Sequence, residues 1–380
     1  MKKQKHDIFS LKNLCKKDNI FLCIIVGLLG IMVLFLVALY VFVPTYRFEN
    51  PKPFAGKFIN NPYQNLTDVN WNYLDLRNDS LIPTYEYGFG LFPTRYLCVD
   101  YQSKIKLDYP FYKNIHFKQY IINRLNKTSS LVIPTHVDAG FKQREIKHLD
   151  NYRLMEVISP YGNYFYYWDL ALSSGRHVNI LATGYKSVLN DVKYVYKTAV
   201  NADLNDKTQI INSLKNGDSY AVRYLDGKSD LPELKSLTLK NDTLFVEATK
   251  EITALQFIGQ NGIVKEKLYP DACKASYVFK EDDSYIRIQM NFNDETIIYL
   301  NPVVRHEFQY FFIPSMSEMM KERTWLMRIV FVFVIIFFAK YLLTSKKEDV
   351  DEDKRECNKY IFDFIIGCKC FDKRSFSFYY

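Results

Sequence analysis

A few side chains in the middle of the sequence could bind a metal ion or handle a proton. In "SLVIPTHVDAGF" a β-branched run ends at Pro134, and His136 follows at a strand end. An imidazole there is either a ligand for a divalent metal or a buried structural histidine satisfied by hydrogen bonds. In "IPTYEYGFG" a buried Glu86 could act as a general acid or base, or it could pair with a cation such as Arg95. In "NYFYYWDL" Tyr164, Tyr167 and Trp168 could stack on a sugar or a partner surface. On a helix these rings point all round, so most of the cluster must pack inward. Ser173 and Ser174 have no organised His and Asp partners, so a nucleophilic triad finds no support. Neither G-x-x-x-x-G-K-[ST] nor G-x-G-x-x-G occurs, which excludes the phosphate-cradling nucleotide motifs.

The elements around these residues alternate. "LIPTYEYG" and "RYLCVDY" read as strands. Residues 111–125 read as a helix, with Phe117, Ile121 and Leu125 recurring every fourth position. "SLVIP", "RLMEVIS", "HVNILA" and "SYAVRY" read as further strands. Helices fall over 143–149, 164–173 (stopped by Gly175) and 208–214 (closed by Gly217). Such alternation predicts a largely parallel sheet or barrel. From about 231 to 305 short strands are separated by "KND", "GQNG" and "EDD", the chemistry of tight turns, which predicts a small antiparallel β-sandwich. Residues 51–80 read as an irregular, Asn-rich arm with a short helix around 69–76.

The 380 residues carry 30 Tyr, 29 Phe and a net charge of +8, with lysines scattered among acids rather than gathered in a stripe, which argues against nucleic-acid binding. Residues 20–43 hold no charge, and residues 325–344 are apolar on all faces around a core at 329–339. Both predict transmembrane helices. Lysines precede the first span and follow the second, which predicts a cell-membrane protein with both termini cytoplasmic and the central domains extracytoplasmic. Cys98, in a core strand, reads as a buried thiol rather than as the partner of Cys273. The tail's C-x10-C-x-C lacks a fourth zinc ligand.

The order of pieces resembles the polymerase and histidinol phosphatase (PHP) superfamily over residues 81–305. "IPTYEYGFG" resembles that family's strand end with a ligand Glu followed by His. "SLVIPTHVDAGF" is similar to the strand ending in Ala-His-Pro, and "LDNYRLMEVIS" to the segment carrying a Glu-Val. "WDLALSSGRHVNILATGYKS" resembles the helix, Gly and strand that lead to a metal-binding Asp-x-His. "IINSLKNGDSYAV", "LQFIGQNG" and "IYLNPV" are similar to the closing helix and strand and to an appended β-sandwich. The resemblance implies a distorted (β/α) barrel that hydrolyses phosphoesters with bound metal ions.

The chain departs from that pattern at the ligands. "KFINNPYQN" has no histidine where the family opens with His-x-His-Thr, and about twenty residues between Pro62 and Ile82 leave no room for its second motif. Tyr87 and Tyr185 stand where ligands would be. Glu86 and His136 remain as weak metal candidates, with Asp138, Glu156, Asp169 and His177 as possible substitutes. Asp169 lies on a helix, and His177 starts a strand and so faces the wrong end of a parallel barrel. Two ligands are too few for a hydrolytic centre.

The expectation is a truncated, distorted PHP-like α/β barrel at 81–227 and a β-sandwich at 228–312. An arm at 44–80 precedes them, with spans at 20–43 and 325–344 and tails at 1–19 and 345–380. Its vestigial site comprises Glu86, Tyr87, His136 and Tyr185, with no catalytic residue and no cofactor. The expected role is non-catalytic binding or assembly with the lipid bilayer and another envelope protein or a glycan. The alternative is a phosphoesterase with a rebuilt Mn²⁺ or Zn²⁺ site, and a third reading is an envelope glycan binder.

Overall fold

The computed structural model describes residues 20–58, 70–78, 81–88, 90, 92–106, 108–109, 111–184, 193–306 and 317–344. It forms two units, Pro44–Met320 and Met1–Val43 with Lys321–Tyr380. In chain order the first elements are helix α1 (Ile20–Val41) and strands β1 (Tyr46–Phe48), β2 (Lys57–Phe58), β3 (Asn72–Leu74), β4 (Thr84–Tyr87) and β5 (Arg95–Tyr101). Helix α2 (Ile115–Leu125), β6 (Ser129–Thr135), α3 (Val137–Gly140), α4 (Gln143–Ile146), β7 (Leu154–Ser159), β8 (Gly162–Asn163) and α5 (Phe165–Ser173) follow. Next come β9 (Asn179–Ala182), β10 (Tyr194–Val200), α6 (Lys207–Asn216) and β11 (Ser219–Leu225). Strands β12 (Leu234–Lys240), β13 (Thr243–Ile252), β14 (Ala254–Ile258), β15 (Val264–Leu268) and β16 (Ala272–Val278) open the second half. Strands β17 (Tyr285–Asn291), β18 (Ile297–Leu300), β19 (Val303–His306) and β20 (Ser317–Met319) precede α7 (Lys321–Thr344).

The helices begin and end on local chemistry. Asn114 accepts from the Phe117 amide at the start of α2, and Asp206 accepts from the Thr208 and Gln209 amides at the start of α6. Gly217 ends α6 at φ 84°, a left-handed conformation suited to a residue without Cβ.

The expected truncated, distorted and largely parallel PHP-like barrel is not formed. β4, β5 and β6 make an antiparallel three-stranded sheet, and β7 lies between β8 and β9 in another. β7 and β9 pair in parallel, while every other strand pairing among the described residues is antiparallel. One cause is the short link from β4 to β5, which fits a hairpin and not the crossover that parallel strands require. A nine-stranded sheet contains the path β15-β14-β17-β18-β11-β10-β3 and so runs through both halves of the 44–320 unit. The arm also differs from its expected short helix: β3 pairs with β10 as an edge strand. Among the described residues two cores hold the unit. One includes Trp71, Tyr220, Leu237, Val246, Phe257 and Ile288, and the other Leu97, Ile133, Leu154, Leu181, Ile210 and Leu214.

The two expected membrane spans are corrected as well. Among the described residues no helix is long and apolar enough to cross a membrane. In α7, Arg328 and Lys340 confine the uncharged stretch to 329–339, about 16 Å of helix against a hydrocarbon core of about 30 Å. The membrane localisation and topology that rested on those spans fall with them.

Candidate functional site

At the C-terminal ends of β6, β7 and β9 the chain gathers two carboxylates around a guanidinium. Arg77 is 9% exposed in its side chain. Its Nη1 donates to Glu86 Oε2 at 3.2 Å, its Nη2 to Glu156 Oε1 at 3.1 Å, and its Nε to Thr183 Oγ1 at 3.4 Å. Glu156 is fully buried; it also accepts a short hydrogen bond from the Thr183 hydroxyl and, through Oε2, one from the His136 backbone N–H at 3.2 Å. Thr135 Oγ1 donates to the remaining oxygen of Glu86 at 3.4 Å.

Local chemistry puts Arg77 there. β3 ends at Leu74, and the buried Asp75 carboxylate accepts from the Arg77 amide at 3.1 Å and from Asn78 Nδ2 at 2.6 Å, an Asx-type turn. Thr84 Oγ1 bonds the Leu76 carbonyl at 3.0 Å and ties that turn to β4. Gly184 packs so closely that a Cβ on it would lie 2.2 Å from Asp75 Oδ2, so the turn needs a glycine opposite it.

His136 caps β6 in the left-handed region, φ 47° and ψ 48°. This strained conformation is held by the Glu156 contact and by the Ala139 N–H donating to the His136 carbonyl. The ring lies 3.4 Å through Nδ1 from Tyr164 Oη, with its centroid 5.7 Å from that of Tyr161. Burial lowers its pKa, opposed by Glu156. Tyr164 is buried at the start of α5, and burial pushes its phenol up to about 12.

The other expected site residues are placed variously. Tyr87 points to the opposite face of β4 from Glu86, as strand alternation requires, and sits buried against Tyr96 rather than in the site. Tyr185 lies outside the described residues. Trp168 is fully buried, with its indole donating to the Val178 carbonyl at 2.7 Å, and Tyr167 is half-buried. Within 161–168 the exposed rings are Tyr161 and Tyr166. Asp138 is exposed on α3. Asp169 is locked by Arg287 through two 2.8 Å bonds, and Tyr285 adds a third bond at 3.0 Å. His177 sits at the opposite strand ends, beside Phe54. Cys98 is a buried free thiol pushed up by burial to about 11, and Cys273 is also free.

The cation expected beside Glu86 was Arg95, yet Arg77 fills that role. No motif marks it; the usable signal was two carboxylates left at strand ends with too few metal ligands around them. The donor set does not fit a divalent centre. The oxygens of Glu86 and Glu156 are already engaged, and among the described residues no group of three or more His, Cys, Asp or Glu side chains could hold a metal ion.

No family model matches the chain, and no curated protein matches it. Among solved structures, the crystal structure of a two-domain protein containing a predicted PHP-like metal-dependent phosphoesterase from Bacteroides vulgatus ATCC 8482 is similar at 12% identity. The likeness covers 63% of this chain and 74% of that one, with a TM-score of 0.29. It is consistent with the resemblance read from the sequence, and at that score it supports neither a fold assignment nor an activity.

Proposed function

We propose that the 44–320 unit is a PHP-like protein that has exchanged its metal centre for an internal ion pair and serves binding or assembly rather than hydrolysis. The carrying observation is the Arg77 guanidinium held between Glu86 and Glu156. A guanidinium supplies the positive charge that the buried Glu156 and the partly exposed Glu86 beside it require, but it has no vacant position for a water and no Lewis acidity. The hydrolase alternative requires Arg77 to leave and both carboxylates to be freed, which would strand buried charge. The test is a phosphoesterase assay with added Mn²⁺ or Zn²⁺ on simple aryl phosphate esters. The reading predicts no turnover above buffer, and metal-dependent turnover lost in Arg77→Lys or Glu86→Gln would refute it.

A glycan ligand at the same mouth is the second reading, favoured by the exposure of Tyr161 (65%), whose ring lies 5.7 Å from that of His136. Flat amphipathic rings of this kind suit stacking. A glycan-binding screen of the wild type against Tyr161→Ala checks it. Binding lost in the variant supports this reading, and binding unchanged by the substitution removes the mouth from consideration.

A further inference from the structure

At the opposite ends of the same strands lies a cavity of about 420 Å³. It is bordered by Ser130 of β6, by Tyr152 and Arg153 leading into β7, by Arg176 and His177 leading into β9, and by Lys215 near the end of α6. Arg153, Arg176 and Lys215 are cationic, and Asp150 is the acidic residue of the lining. Arg176 is 4% exposed. Its Nε donates to the Lys147 carbonyl at 3.1 Å, while both terminal nitrogens are buried without a hydrogen-bond partner. The Tyr152 hydroxyl is buried and unpartnered as well. Asp150 and Glu49 act on Arg176 electrostatically, but neither reaches its terminal nitrogens.

A guanidinium with two open amino groups complements a carboxylate or phosphate, whose oxygens accept such bonds in pairs. A buried charge without that complement is destabilising, so the cavity is electrostatically incomplete as it stands. Its position also separates it from the Arg77 centre, which sits at the other ends of β6, β7 and β9. We propose that this cavity binds an oxyanion, the carboxylate or phosphate of a small hydroxylated molecule. Arg176 lies at its floor, and the more exposed Arg153 and Lys215 lie at its rim. The terminal nitrogens are shielded from water, so the anion enters with a side-chain movement at the floor. Asn123, Asn126 and Asn151 on the lining supply amides for neutral hydroxyls.

The test is isothermal titration of the full-chain protein with inorganic phosphate and, separately, with gluconate. Saturable binding of at least one is expected, and which one binds identifies the anion. Arg176→Met should weaken it at least about tenfold, a loss on the scale of one strong charged contact. That variant should melt no lower than wild type in anion-free buffer, because it removes two buried amino groups that have no hydrogen-bond partner. Lys215→Gln, at the half-exposed end of α6, gives a second handle should Arg176→Met fail to fold, and it should weaken binding by a smaller factor. Comparing variants at equal salt cancels the general stabilisation that phosphate gives by exclusion from protein surfaces. No binding of either anion up to about 50 mM, or equal affinity in wild type and both variants, overturns the proposal; that range reaches well past typical millimolar weak binding.

Discussion

Two arginines, Arg77 with a 9% exposed side chain and the buried Arg176, sit at opposite ends of one set of strands, and their surroundings differ in kind. Arg77 meets two carboxylates and a hydroxyl, and all three nitrogens of its guanidinium are used. Arg176 bonds one carbonyl through Nε and leaves two amino groups unpaired. The first arrangement is self-contained, with every guanidinium nitrogen donating to an acceptor within the chain. The second is complete only with a partner the chain does not supply. Burial of a cation therefore carries no functional meaning by itself; the count of its satisfied donors does.

The largest effects should come from breaking the closed end. Arg77→Met leaves Glu156 buried and uncompensated, and unfolding in urea should show a loss of about 3–5 kcal/mol. Adding Glu156→Gln should recover much of it, because the stranded charge is then gone. A double variant no more stable than Arg77→Met would show that packing, not charge pairing, dominates there. Trp168→Ala should cost about 3–5 kcal/mol with no such rescue, since the indole is fully buried core. A stable Trp168→Ala with a specific binding defect would return Trp168 to the ligand surface.

A smaller effect lies in pH. Burial holds the His136 pKa below its ordinary value of 6.5. The unfolded chain therefore takes the proton first as pH falls. The contribution of neutral His136 is complete above about pH 6.5 and is lost as pH drops from there toward the folded value. Wild type should lose more stability between pH 7 and pH 5 than His136→Asn, a substitution that tolerates the left-handed backbone. Parallel stability profiles in the two proteins would contradict the burial of a neutral imidazole. The smallest effect is expected at Tyr166→Ala, within about 0.5 kcal/mol, as for an exposed ring away from the core. A larger loss would mean that Tyr166 packs more than its exposure suggests.

Part of this was legible in the sequence. The strands around Glu86, Cys98, Val132 and Glu156 announced themselves by β-branched and aromatic runs, and α5 and α6 by their glycine stops. His136 was placed at its strand end by the same pattern. Direction was not legible: "RYLCVDY" and "SLVIP" read alike whether parallel or antiparallel, because alternation reports burial and not strand polarity. The 70–78 segment was misjudged because a three-residue edge strand has too few positions to show a period, so Arg77 fell inside what read as an irregular arm. The apolar runs at 20–43 and 325–344 were read as spans, the second with Arg328 and Lys340 reaching toward the interfaces, yet among the described residues no helix is long and apolar enough to cross a membrane. Arg176 gave no signal at all, since its meaning lies in bonds it does not make.

The central claim is that Arg77 stands where metal ions would be needed for hydrolysis. The most direct measurement is elemental analysis of the intact protein after equilibration with Mn²⁺ and Zn²⁺ and gel filtration into metal-free buffer, with wild type and a folded His136→Ala variant side by side. The account predicts less than stoichiometric metal in both, with no difference between them. Two or more tightly held ions per chain in wild type, lost in His136→Ala, would contradict it and restore a metal-dependent phosphoesterase.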